Sequence, residues 1–114
     1  MDAMKKAFTI AASGTTGDIP TQAGYRLVGL MIPTADSTTL AASLYIDEVA
    51  NAKVAVDAAG AAITIGGTAQ TWNKFVPVPE TLSLMAMACA GVRLTVASQT
   101  SGALACFAFF VRDV

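Results

Sequence analysis

The chain contains no histidine. This removes the commonest general base near neutral pH, and with it any Ser-His-Asp or Cys-His arrangement, so most hydrolase chemistries are excluded. Charge is also scarce: Lys, Arg, Asp and Glu make up 13% of the 114 residues, where about 25% is usual. Lys5, Lys6, Arg26, Lys53, Lys74, Arg93 and Arg112 are scattered along the chain. No basic stripe is available to neutralise successive phosphates, and direct nucleic-acid binding is not expected. The longest apolar stretches, Leu82 to Val92 and Ala103 to Val111, fall short of the ~20 residues that cross a bilayer as a helix, so no membrane association is expected. Lys5-Lys6 precedes only a short, Thr-interrupted apolar segment, which does not read as a secretory leader and implies synthesis in the cytoplasm.

Clustered chemistry is missing too. Cys89 and Cys106 lack the Cys-x-x-Cys spacing of a zinc or redox site and are read as small, reduced core residues. Asp47-Glu48 is the sole adjacent carboxylate pair. On a strand its two side chains point to opposite faces; only a turn there would bring them together as a weak calcium site. Gly14-Thr15-Thr16-Gly17 and Gly66-Gly67 carry no Lys-Ser/Thr signature and read as turns rather than phosphate cradles. The expectation is a chain with no catalytic residues, no metal and no cofactor.

Short apolar runs are abundant, each cut off by Gly, Pro, Asn, Asp, Ser or Thr, in a composition 54% apolar. That rhythm predicts an all-β, antiparallel, jelly-roll-like sandwich of seven to nine short strands in a single domain, with residues 1–19 an extended arm or a first strand. Lys6 to Ala12 reads as a strand with Phe8, Ile10 and Ala12 on one face, followed by a loop over Ser13 to Asp18. Tyr25 to Ile32 is apolar on both faces, as in a central strand, and ends at Pro33. Leu40 to Ile46 alternates as a half-buried strand. For Asp47 to Ala59 two helical turns compete with the preferred reading of a turn at Asn51, a strand with Val54 and Val56 on one face, and a turn at Asp57 to Gly60. Ala62 to Ile65 follows as a short strand closed by Gly66-Gly67.

Pro77 and Pro79 place Gln70 to Val78 at a sheet edge. Leu82 to Met87 alternates as a strand, and Val92, Leu94 and Val96 alternate with Arg93, Thr95 and Ala97. A turn at Thr100 and Ser101 predicts a hairpin from Gly91 to Arg112 that sets Cys106 opposite Thr95 and Cys89 opposite Arg112, so the cysteines are not cross-strand partners. Both faces of Leu104 to Val111 are apolar, and one of them requires cover from outside its own core. The candidate interface residues are Tyr25, Arg26, Trp72, Phe75, Phe107 and Phe109, aromatics plus the charged residue best placed for an ion pair across a contact. A competing reading sets Trp72 with Phe75, and Tyr25 with Tyr45, as stacking platforms for a glycan.

Gly24-Tyr25-Arg26-Leu27-Val28-Gly29-Leu30-Met31-Ile32-Pro33 resembles an aromatic-Arg-Leu-Val-Gly strand in small virion proteins of tailed bacteriophages. Val56 to Ile65 is similar to the Asp-x-x-Gly turn and following strand of that family, Gly91 to Thr100 to its penultimate strand and turn, and Phe109 to Arg112 to its last strand. The likeness spans residues 20–114 and departs at Asp47 to Asn51, where the family has a Ser-Asp-Gly turn. The resemblance implies a non-enzymatic β-sandwich of the virion, a capsid decoration or head- or tail-associated protein. Its expected partners are the major capsid protein or other virion proteins and further copies of itself, with a tail-fibre carbohydrate-binding module as the alternative.

Overall fold

A computed structural model describes residues 2–10, 16–33, 40–45, 48–65, 74–95 and 103–112. These form β1 (Asp2–Ile10), β2 (Thr16–Pro20), β3 (Arg26–Ile32), β4 (Leu40–Tyr45), β5 (Lys53–Val54), β6 (Thr64–Ile65), β7 (Lys74–Pro77), a helix α1 (Glu80–Ala86), β8 (Gly91–Thr95) and β9 (Leu104–Arg112). The front sheet has the order β1-β9-β3-β7; the back sheet has the order β2-β8-β4-β5, with β6 also on β4. All described pairings are antiparallel. The two sheets enclose one core that includes Ile10, Leu30, Ile32, Val92, Leu94 and Phe110. The chain is therefore the all-β sandwich that its apolar rhythm predicts.

Period-two burial explains most strands. In β9, Leu104, Cys106, Ala108 and Phe110 are buried and the intervening residues are not. In β8, Val92 and Leu94 face the core while Arg93 and Thr95 face out. In β3 a register shift between Leu27 and Gly29 breaks the phase. The bulge lets Leu27, Leu30 and Ile32 all turn inward, where unbroken alternation would have set Leu27 against Leu30. β3 is central, between β9 and β7, and β7 is an edge, a position that tolerates Pro77 because its missing N–H is not needed there.

β5 and β6 lie end to end along β4: Val54 pairs with Ser43 and Thr64 with Ala41. They are one edge ribbon interrupted by a turn. Asp57 Oδ1 accepts hydrogen bonds from the N–H groups of Ala59 and Ala61, and Gly60 takes the left-handed φ of 84° that only glycine adopts without strain. The expected turns at Asn51 and Asp57 are both present, the first as a single 3-10 turn at Val49–Asn51. The phase of this ribbon is reversed from expectation. Ala55 is buried and Val54 and Val56 are exposed, because Ala55 bonds Ala42 on one side and Ile63 on the other and so sits at the narrow rim of the core.

Three further expectations are corrected. Leu82 to Met87 is mostly helix: Glu80, Thr81, Leu82, Ser83, Leu84, Met85 and Ala86 contain no β-branched residue except Thr81, Glu80 favours the first turn, and Leu82 and Ala86 make an i, i+4 buried pair. Gly91 to Arg112 is not a hairpin, because β8 and β9 belong to different sheets. Both edges of β8 are occupied, by β2 and β4, and Cys106 pairs with Phe8 rather than Thr95. Finally, the expected loop over Ser13 to Asp18 gives way at Thr16 to β2; of the two readings of the N-terminus, an extended arm or a first strand, the strand is the one present, as β1. Trp72, Gly66-Gly67 and the turn expected at Thr100 and Ser101 lie outside the described residues.

Candidate functional site

The outward surface of the front sheet is where the sequence leaves apolar side chains without a core to enter. On β9 it carries Phe107, Phe109 and Val111, half-buried, between inward-facing neighbours. Register places Gly29 and Met31 of β3 beside Phe109 and Phe107, and Phe75 and Pro77 of β7 beside Met31 and Gly29. Phe75 stands 78% exposed. Its ring lies 5.5 Å from that of Phe109 at an interplanar angle of 55°, the tilted arrangement that aromatic quadrupoles favour. The result is a continuous apolar strip across three strands.

Cations border this strip. Lys5 of β1 holds its Nζ 4.7 Å from the centre of the Phe107 ring, and Arg112 places its guanidinium 4.9 Å from the Tyr25 ring while bonding Asp2. Arg26, opposite Val111 on β3, has no ion pair with any described residue. It separates two surface depressions of about 230 Å³ each, one lined by Val28, Val78, Glu80 and Ser83, the other by Gly24, Leu84, Met87, Val111 and Arg112. Both are smaller than the ~300–1,000 Å³ typical of small-molecule sites.

Of the six candidate interface residues, Phe75, Phe107 and Phe109 form the strip, Arg26 lies at its end, and Tyr25 flanks it beneath Arg112. Met31, Val111, Leu84 and Met87 also border this region and are absent from the sequence-based set. Leu84 and Met87, both about half exposed, become visible only when α1 is read as a helix with an outward face. Tyr45 belongs to the back sheet and is buried, so it cannot serve with Tyr25 as a stacking platform. Its hydroxyl pKa is raised by burial and by the nearby Asp18 carboxylate, against the opposing charge of Arg93. Arg93 and Asp18 form a paired contact of 2.9 Å across β8 and β2.

Both cysteines are free. Burial pushes the Cys106 thiol up from 9.0 to about 11, partly offset by a backbone hydrogen bond at Ile10. A neutral buried thiol is a poor nucleophile. Thiol labelling of the native protein at pH 8 should therefore modify the half-buried Cys89 first and reach Cys106 only on unfolding. Because the folded-state value lies above the unfolded one, the contribution of Cys106 to stability is complete below about pH 9 and is lost as pH rises toward 11. Urea midpoints measured across that window should fall by an amount corresponding to ~2–3 kcal/mol, and Cys106→Ala should flatten the decline.

Among the described residues there is no group of three His, Cys, Asp or Glu able to hold a metal ion, and no helix is long and apolar enough to cross a membrane. No family model matches the chain, and neither the curated proteins nor the solved structures yield a match.

Proposed function

We propose that the chain is a non-enzymatic structural subunit of a tailed-bacteriophage virion, a capsid decoration or head-associated protein that stabilises the particle by contact. The observation that carries this reading is the aromatic strip of Phe75, Phe107 and Phe109 on the outward face of a sheet, in a chain with too little charge to solvate its surface. Apolar aromatics on a sheet face are the composition of an interface centre rather than of a free surface. The chain exposes 6111 Å², and two contacts of standard size, ~800 Å² each, would cover about a quarter of it.

The interleaved strand order supports the same reading at the level of fold. With β5 and β6 counted as one broken ribbon, each sheet holds four ribbons in the order β1-β9-β3-β7 and β2-β8-β4-β5. This order supports reading the sandwich as jelly-roll-like, an architecture frequent in viral capsid proteins and also in lectins. The fold alone does not assign a role, so the weight rests on the exposed strip.

The test is physical association. Virions from the phage genome that encodes this chain, banded on a density gradient, should contain it in many copies per particle, and particles lacking it should release their genome at lower temperature. Its absence from banded virions, with the protein recovered only in the soluble fraction, would reject the proposal.

A further inference from the structure

We infer that the outward face of the front sheet seats a second copy of this chain, in a two-fold pairing that inserts Phe75 of each copy beside Gly29 of the other. The inference rests on reading the chain as a contact-forming subunit and names the first partner of that contact.

Shape supports it. Phe75 projects from the edge strand with 78% of its surface exposed. Gly29, one strand inward on the same face, has no side chain; a Cβ there would find only Val76 O at 3.5 Å and Phe109 Cδ2 at 4.0 Å. A projecting ring and a low point in the relief therefore lie on one surface, flanked by Phe109 and Pro77. An in-plane two-fold axis through the midpoint between them carries each ring over the other copy's low point. The sheets then stack face to face at the ~10 Å spacing of sandwich cores. A surface that holds both the projection and the low point is self-complementary, as a two-fold interface must be.

Size sets the contact at the small end of the range. The four strands, nine, nine, seven and four residues long, at ~3.4 Å per residue and ~4.8 Å between strands give a face on the order of 500 Å² in projection, below the ~800 Å² per partner of a standard interface. The centre of the face carries no charge. Lys5, whose Nζ lies over the Phe107 ring on β1, and Arg26, at the α1 end, are the cations that the contact must keep at its solvated rim.

Sedimentation equilibrium on the purified chain tests the pairing. The wild type should be dimeric at micromolar concentration, with a dissociation constant little changed between low and high salt. Phe75→Glu should weaken the dimer ~30-fold or more, as loss of a hot-spot aromatic does. Gly29→Leu, which fills the low point and leaves the ring in place, should do the same, and it decides the matter should Phe75→Glu fail to fold. Val54→Glu, on the exposed edge of the back sheet, should leave the dimer intact. A monomeric wild type, a dimer indifferent to both front-sheet changes, or equal loss from Val54→Glu would each overturn the inference. A monomer that still bands with virions rejects the pairing and leaves the virion role standing; a front-face dimer that never bands with them does the reverse.

Discussion

Gly91→Ala should lower stability by about 3 kcal/mol, the upper range for overpacking a filled site, and so shift the thermal midpoint down by roughly 10 °C. Gly91 opens β8 and pairs directly with Tyr45 of β4, whose ring lies across the glycine. A Cβ at this position would overlap the tyrosine hydroxyl and Cζ and come within 2.7 Å of Cε2. The ring has little room to withdraw, being buried beneath the surface near the Asp18 and Arg93 pair. Glycine is therefore required here by space, not by backbone conformation. A double-mutant cycle separates this cause from a general intolerance of β8. Tyr45→Ala alone should cost ~3–5 kcal/mol as a large-to-small core change. In that background Gly91→Ala should cost nothing, or even gain the ~0.4–1 kcal/mol that comes from a less flexible unfolded chain. Additive losses in thermal or urea unfolding would show that the ring is not the obstacle.

The Tyr45 and Gly91 pair marks the limit of what the residues disclose in order. Alternation in β8 and β9, the turn at Asp57 to Gly60 and the proline-bearing edge are local patterns, and local patterns are legible because side-chain direction follows backbone period. Which strands become neighbours is not local. The hairpin expected from Gly91 to Arg112 does not form because adjacency in the chain is not adjacency in the sheet: β8 already has β2 and β4 on its two edges. Leu82 to Ala86 carries an ambiguity of a different kind. Leu82, Leu84 and Ala86 satisfy period two as well as Leu82 and Ala86 satisfy i, i+4, and helix propensity together with burial of Leu82 and Ala86 decides between them. In β3 one bulge shifted the phase at Leu27, and nothing in the residues announces a bulge that Gly29 merely permits. The candidate face was more legible. Two apolar faces on Leu104 to Val111 require two covers, and only one can be the molecule's own core. Phe107 and Phe109 accordingly lie on the outward face of β9, and Met31 and Val111 share that face through sheet register.

Phe109 and Phe110 are adjacent, chemically identical and placed on opposite surfaces of β9, so paired substitutions there should give opposite results. Phe110 is 1% exposed and is among the largest fully buried side chains. Phe110→Ala should cost ~3–5 kcal/mol, the loss of transfer energy plus the cavity that a close-packed interior only partly closes. Against a domain stability of ~5–15 kcal/mol, that is enough to leave a substantial fraction unfolded at physiological temperature. Phe109→Ala gives up its tilted contact with Phe75 and a half-covered apolar area, which amounts to ~1 kcal/mol in the isolated subunit. Its larger effect should fall on assembly, since in a two-fold contact the ring borders the low point that receives the partner's Phe75. Urea unfolding of dilute protein reads the first quantity, and sedimentation equilibrium of the same variants at higher concentration reads the second. Similar destabilisation by both would mean that the front sheet has a second intramolecular cover and that the strip is core rather than interface. A large stability loss confined to Phe110→Ala, with loss of self-association confined to Phe109→Ala, would establish that one strand serves the fold on one face and the contact on the other.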